Sequence, residues 1–448
     1  MTGTEELKVA LVGLGCPKNQ VDAETMLGLL QAAGCQLTSN PEEADAIVVN
    51  TCGFIADARE ESVSALREAV RLKREGKARC VLATGCLAQR YPRELKTEIP
   101  ELDGLVGVGQ QPSIVDALRR ALAGETVEAV GAPRALLPEG LPRTLSTPPW
   151  SAYLKLSDGC DRPCAFCAIP AIRGPMASRP MEAVVAEARR LAESGVRELN
   201  LIAQDTTRYG VDRYGECRLV PLLRELCQID GIRWIRPLYY FPTAISDALI
   251  ELTATEPRMC RYMDIPLQHV SPRVLRRMRR PGDGDAYLAL VERIRAACPD
   301  VALRSTFIVG HPGESDADFR QLVDFLRAAR LDRVGVFVFS PEEGTEAAGL
   351  PDPVHPEVAR ARYHRLMRVQ RHVSLQRNLQ WVGRRLQVLV EGSAPGEPEV
   401  QVGRSHRDAP EIDGVVYVRG GAARPGEFVE VTVTAAKPYD LYGVAAPR

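Results

Sequence analysis

The sequence predicts an α/β chain in three parts: a doubly wound parallel α/β domain, a longer series forming an incomplete (β/α)6 barrel, and a small β-barrel. Three observations predict it. Continuously apolar, strand-like runs alternate with helix-length amphipathic stretches up to about Gly124 and again from Ser151 to about Ser340. A proline-rich stretch, APRALLPEGLPRTLSTPPW (132–150), separates the two series, and beyond about Val382 short alternating strands broken by glycine and proline take over. Strands that are apolar on both faces belong to parallel sheets covered by helices on each side.

The first domain, 8–124, has KVALVGLG, AIVVNT, RCVLATG and GLVGVG as its strands, with helical segments such as VDAETMLGLLQAAG and SIVDALRRALAG between them. A linker over 125–150 follows, whose prolines neither continue a helix nor build a core. The middle domain, 151–378, has six candidate strands: SAYLKLS (151–157), VRELNLIAQ (196–204), IRWIRPLYYF (232–241), CRYMDIPLQ (260–268), VALRSTFIVG (301–310) and DRVGVFVFS (332–340). Six strand-then-helix repeats fit an open parallel barrel, whose chemistry lies at the C-terminal strand ends. From Pro356 to about Val382 the pattern is helical and basic, with eight arginines and no acid between Val358 and Val390. It fits either a solvated arginine face packed on neighbouring domains or a contact with RNA. LQVLVE, GVVYVRG and EFVEVTVT are strands of the last domain, 379–446.

Of the 448 residues 45% are hydrophobic and 26% charged, and 57 basic side chains stand against 58 acidic ones for a net charge of -1. That balance excludes bulk attraction to nucleic acid or an anionic membrane, leaving only local patches. The opening MTGTEELK lacks the apolar run of a secretory signal, and no stretch reaches the length of a membrane span, so a cytoplasmic protein with no membrane partner is expected. Twelve cysteines are too thinly spread for a disulfide scaffold, which turns attention to the clustered ones. Cys35, Cys80, Cys217, Cys227, Cys260 and Cys298 sit in no ligand spacing and read as small buried hydrophobes.

CDRPCAFC brings Cys160, Cys164 and Cys167 together just after the first barrel strand. Structural zinc wants four ligands, and no second cysteine or histidine pair follows. A four-iron cluster held by three thiolates keeps one iron open to a substrate. Cys16, Cys52 and Cys86 each lie directly after an apolar strand of the first domain. The carboxyl ends of parallel strands line one crevice, so the three thiols either converge on a second cluster or are independent buried thiols. GLG at 13–15 is not the start of a dinucleotide fingerprint, because Lys18 stands where the third glycine belongs.

C-x3-C-x2-C after the first strand of an α/β barrel, with Phe166 before its last cysteine, resembles the radical S-adenosylmethionine enzymes. With GCPKNQVDAE, NTCGFIADAREESV, TGCLAQRY, GCDRPCAFCAIPAIRGPMASRP and GRSHRDAPEIDGVVYV, the chain from Lys8 to Val444 is similar to the methylthiotransferases, whose C-terminal β-barrel is called TRAM. The resemblance implies two 4Fe-4S clusters, an auxiliary one on Cys16, Cys52 and Cys86 and a radical one on Cys160, Cys164 and Cys167, the latter binding S-adenosyl-L-methionine at its open iron. It also implies that S-adenosylmethionine is used twice, once to methylate a sulfur and once to generate the radical that activates the substrate carbon. A one-electron donor such as a flavodoxin or ferredoxin is then required.

One branch of the family modifies an adenosine of tRNA, the other the β-carbon of an aspartate in ribosomal small-subunit protein twelve. LGCPKN, NTCGFI and APEIDGVVYV resemble the second. Charge agrees: from Glu391 to Arg448 nine acids face six bases, and an acidic barrel suits a basic protein, free or on the assembled subunit, better than RNA. A non-catalytic electron carrier would saturate its irons with protein ligands, which neither trio does. Of the remaining candidates, Arg173 and Arg179 either position carboxylates or brace their loop. Gln204 and Asp205 end the second barrel strand within reach of a cofactor. In GHPGESDADF, with His311 in a glycine-proline turn, Ser315 and Asp318 read as a helix N-cap pair.

Overall fold

The computed structural model describes residues 7–133 and 136–446. Most of the opening segment, Arg134 and Ala135 of the linker, and Arg448 lie outside the described residues.

Strands β1 (Lys8–Gly13), β2 (Gln36–Thr38), β3 (Ala46–Thr51), β4 (Cys80–Gly85), β5 (Gly104–Val106) and β6 (Val127–Ala129) form one sheet in the order β2-β1-β3-β4-β5-β6. Every pairing is parallel. β3 and β4 are buried throughout, as their unbroken apolar sequences predict. The edge strands β2 and β6 were not expected; three residues long and mixed in polarity, they carry no run to read. β6 also lies beyond the expected boundary at 124, inside what the sequence assigns to the linker. From β1 the chain steps outward to β2, then crosses back to β3, which makes the carboxyl ends of β1 and β3 a switch point where such sheets open a crevice.

The six barrel strands appear where expected: β7 (Ser151–Lys155), then, beyond the two-residue strands β8 (Ser157–Asp158) and β9 (Ala177–Ser178), β10 (Glu198–Ile202), β11 (Trp234–Pro237), β12 (Tyr262–Asp264), β13 (Ala302–Val309) and β14 (Arg333–Val338). They form two parallel halves, β7-β10-β11 and β12-β13-β14. The halves meet through an isolated bridge, Ile235 to Met259, and the Tyr240 N–H donating to the Asp264 carbonyl at 2.8 Å. β7 and β14 do not pair, so the barrel is open. Leu154, Leu201, Ile235, Met263 and Phe307 of its strands pack with Leu222, Leu290 and Leu322 of its helices in one core.

The first domain covers this opening. Its helix Pro17–Ala32 lies against β7, with Val21 packing on Tyr153, and Arg90 reaches the loop after β14 to pair with Glu342 at 2.8 Å. The proline-rich stretch is no free spacer, contrary to expectation. Arg143 is clamped between Glu24 (2.6 Å) and Glu187 (2.7 Å), Leu145 packs on the barrel core, and a Cβ at Gly28 would lie 2.5 Å from Pro142. The prolines stop helix formation, but the segment still straps one domain to the other.

Helix Pro356–Leu379 leads into a closed barrel of β15 (Arg385–Ala394), β16 (Glu397–Ser405), β17 (Val416–Arg419), β18 (Phe428–Ala436) and β19 (Leu441–Ala445), ordered β15-β16-β17-β19-β18. The basic helix divides its arginines. Arg362 and Arg377 brace it on Asp316 and Asp332, while Arg360, Arg368 and Arg371 are exposed. Residues 404–413, read from the sequence as part of an acidic surface, instead press into the N-terminal ends of the central strands. Arg404 pairs with Glu198 (2.6 Å), Arg407 with Asp332 (3.0 Å) and Arg333 with Asp408 (2.6 Å), and Tyr262 donates to Asp413 (2.7 Å). With these four charges buried, the rest of the small barrel has seven acids and three bases among the described residues, Glu391, Glu427 and Asp440 of them half-buried.

Glu198 is fully buried, and burial alone would raise its carboxyl; Arg404 and Arg236 outweigh it and hold the group down to about 2. The protonated form is therefore disfavoured in the folded chain. The stabilisation, about 3 kcal/mol at neutral pH, is complete above the ordinary carboxylate range near 4.5 and disappears as pH falls toward 2. Urea midpoints of the wild-type chain are expected to drop across that window. Glu198→Gln should be less stable at pH 7 and respond less to acid, and parallel pH dependences would contradict this.

Candidate active site

Each cysteine of the first domain is delivered by a strand end. Cys16 follows β1 at the N-terminus of helix Pro17–Ala32, which Pro17 starts with a preset φ. Cys52 follows β3. Cys86 opens helix Cys86–Arg90 after Gly85, whose φ of 89° and whose 2.4 Å spacing from a built Cβ to Asn50 Oδ1 admit only glycine. Two asparagines stitch the loops together. Asn19 Nδ2 donates to the carbonyls of Leu14 (3.0 Å) and Thr51 (2.8 Å), its Oδ1 accepts from the Cys86 thiol (3.4 Å), and Asn50 Nδ2 donates to the Asn19 carbonyl (2.7 Å). A Cβ on Gly15 would lie 3.1 Å from Cys52 Sγ, so the first two cysteine loops touch.

The electrostatics differ across the trio. Burial alone would raise the Cys16 thiol, but the charges of Lys18 and Arg173, with the N–H groups of Asn19 and Lys18, hold it below the ordinary value. It is the one thiol of the three open to the cleft. Burial raises Cys52 and pushes Cys86 up to about 12.

Across the cleft, β8 and β9 pair antiparallel and pinch the base of the loop carrying Cys160, Cys164 and Cys167. Gly159, at φ 71°, turns the chain into that loop; a Cβ there would lie 2.0 Å from the Pro175 carbonyl oxygen. All three thiols are half-buried, and burial pushes Cys167 up to about 12. Cys160 Sγ accepts from the Arg162 N–H (3.4 Å) and Cys164 Sγ from Arg280 (3.5 Å). The Arg162 and Arg280 guanidiniums lie over the ring of Phe241, 3.7 and 4.5 Å from its centre. Among the described residues no group of three or more His, Cys, Asp or Glu side chains is gathered closely enough to hold a metal ion.

Arg173 joins the two sides. Fully buried, it donates to Asp158 (2.9 Å), two residues before Cys160, and to Asp22 (3.0 Å), Asn19 (2.8 Å) and the Cys86 sulfur (3.5 Å). Of its two expected roles, bracing is the one its contacts describe. Arg179 likewise braces, on Glu187 at 2.7 Å and on Glu139 of the strap. Gln204 Nε2 donates to Asp158 (3.0 Å), while Asp205 holds Arg162 (2.7 Å). Gln204 Oε1 and Gln268 Oε1, near the carboxyl ends of β10 and β12, are buried acceptors without a partner among the described residues. Ser315 and Asp318 form a reciprocal capping box, and His311 lies buried in the turn before it.

Residues 8–107 match the Uncharacterized protein family UPF0004, 154–326 the Radical SAM superfamily and 382–445 the TRAM domain. Over 98% of its length the chain is 50% identical to a protein of Pelotomaculum thermopropionicum named ribosomal protein uS12 methylthiotransferase RimO, covering 99% of that protein. A protein of the same name from Desulforudis audaxviator is 52% identical over 98% of this chain and 96% of its own. The chain belongs to the RimO family. A solved structure of the radical S-adenosylmethionine methyltransferase TsrM from Kitasatospora setae, with cobalamin and a [4Fe-4S] cluster bound, shares the fold at a TM-score of 0.55, 15% identity and 77% coverage of each chain.

For this member of the RimO family, the strand-end cysteines were legible in sequence, but Asn19, Asp22, Asp158, Phe241 and Arg280 were not assigned. Asn19 and Asp22 find their partner Arg173 only across the two domains, while Asp158, Phe241 and Arg280 meet theirs across the loops of the barrel. Among the lone cysteines, Cys80, Cys227, Cys260 and Cys298 are buried as expected. Cys35 is half-buried, and Cys217 is exposed, donating to the Thr207 carbonyl at 3.2 Å.

Proposed function

We propose that this chain inserts a methylthio group at the β-carbon of an aspartate in ribosomal protein uS12, with Cys16, Cys52 and Cys86 holding an auxiliary 4Fe-4S cluster and Cys160, Cys164 and Cys167 the cluster that binds S-adenosyl-L-methionine. The observation that carries it is the placement of two cysteine trios at the C-terminal ends of two facing parallel sheets, with Arg173 spanning from Cys86 to Asp158 beside the second trio. The donors fit: soft thiols suit iron-sulfur clusters, and each set stops at three.

When bound, the second cluster supplies one electron to S-adenosylmethionine, which opens carbon chemistry that no side-chain base reaches at neutral pH. The chain's residues do the rest. Hydrogen bonds from Arg162 and Arg280 to the sulfurs of Cys160 and Cys164 set the polarity of that site. The unpartnered oxygens of Gln204 and Gln268 are acceptors for donor groups of the nucleoside. Arg173 and Asn19 hold the loops of the two trios in fixed register, which would keep groups bound on the two sides at a set separation. The surplus of acids on the small barrel, seven against three bases outside the buried segment among the described residues, favours a basic protein surface, free or on the assembled subunit, over the phosphates of tRNA. A flavodoxin- or ferredoxin-type donor provides the electron. Among the described residues no helix is long and apolar enough to cross a membrane.

The test is turnover. Anaerobically reconstituted protein with reductant and S-adenosylmethionine is expected to add the mass of one SCH3, less one hydrogen, to the aspartate of uS12 and nothing to tRNA. The reverse pattern would sink the proposal.

A further inference from the structure

We infer that Lys18 receives the side-chain carboxylate of the substrate aspartate and thereby selects an acidic over a neutral side chain at the reacting position. This rests on the uS12 reading above. Lys18 lies two residues after Cys16, in the first turn of helix Pro17–Ala32, and is 8% exposed. Its ammonium stands 3.3 Å over the centre of the Tyr239 ring. Tyr239 follows β11 at the mouth of the open barrel and holds a left-handed φ of 62°, so the barrel backbone is bent at the point where it offers this ring. Lys18 thus reaches from the first domain, beside Cys16, across to the mouth of the barrel.

Every neighbouring carboxylate is already engaged. Asp264 accepts from Arg304 at 3.0 Å and from the Tyr239 N–H at 3.2 Å. Asp158 accepts from Arg173 at 2.9 Å and Lys155 at 3.0 Å, and Asp22 pairs with the same two cations. Lys155 and Arg173 are satisfied by these contacts. Lys18 is the cation left over: it makes no hydrogen bond and no ion pair among the described residues, and its nitrogen is not among the buried atoms sealed without a partner. A largely buried ammonium with a ring beneath it and no acceptor has three donors to offer. A small anionic group on an extended side chain fits that vacancy, as a peptide aspartate provides. An adenine base has no negative charge to bring.

The competing account is that Lys18 only balances negative charge at Cys16, and peptide discrimination separates the two. Equilibrium binding to the reconstituted protein is measured for a uS12 peptide with the target aspartate and for the same peptide with asparagine there. The wild type is expected to prefer aspartate by about 10- to 100-fold, the range of a charge-assisted hydrogen bond, and Lys18→Met to bind the two within about twofold. Lys18→Gln, which retains a polar head, gives the same readout should the methionine variant fail to fold. Because both peptides are compared on one protein, a general weakening of the site does not move the ratio. A wild-type preference retained in both variants overturns the assignment while leaving the uS12 reading intact. A wild type that modifies neither peptide nor uS12 overturns that reading and this inference with it.

Discussion

Replacing Cys160, Cys164 and Cys167 together with alanine is expected to abolish cleavage of S-adenosylmethionine and, with it, all methylthio transfer. Iron in the reconstituted protein should fall from about eight atoms per chain to about four. The matching replacement of Cys16, Cys52 and Cys86 should remove a similar share of iron and all transfer, yet still release 5'-deoxyadenosine. The two outcomes differ because the trios belong to separate cores: those of the first domain sit on β1, β3 and β4, while the other loop is pinned by β8, β9 and Gly159. Iron analysis and chromatography of the nucleoside product check both. Methylthio product from the Cys16 set variant would remove the auxiliary site from the reaction.

The largest stability effect is expected at Arg173. Exchange for methionine strips a fully buried guanidinium from Asp22 and Asp158 and leaves Lys155 alone to serve both carboxylates. Although burial works the other way, Arg173 and Lys155 hold Asp158 well below the usual carboxylate range, so these charges depend on their partners. Losing one partner of such a network costs about 3–5 kcal/mol, read as a lower urea midpoint and as earlier cleavage of the 136–149 strap by protease. Arg173→Lys is expected to recover little, because one ammonium does not span Asp158, Asp22 and Asn19 as a planar fork does. An unchanged midpoint in the methionine variant would mean that the domain contact is held elsewhere.

Local patterns made much of this legible. Apolar runs ending in cysteine located Cys16, Cys52 and Cys86, the C-x3-C-x2-C spacing located Cys160, Cys164 and Cys167, and apolar runs alone located the six barrel strands. Contacts that depend on distant partners were hidden. Arg173 and Asn19 meet across 154 positions of sequence, and nothing near either residue announces the other. GRSHRDAPEID illustrates the opposite error: charged residues usually sit at the surface, so the segment counted as surface charge, whereas Arg404, Arg407 and Asp408 are buried against Glu198, Asp332 and Arg333. β2 and β6 escaped notice because an edge strand of three residues has too few side chains to show a period.

The segment 404–413 also sets the order in which the molecule becomes whole during its synthesis. Glu198 and Asp332 emerge from the translating ribosome with Arg236, Arg295 and Arg377 of their own domain to pair with, whereas Arg333, which among the described residues ion-pairs with Asp408, has no such partner until the final barrel arrives. Domains generally fold as they emerge, N-terminal first. Here one cation of the middle domain waits for the end of the chain, and a product truncated before Arg404 is expected to leave Arg333 without its carboxylate at the base of the barrel.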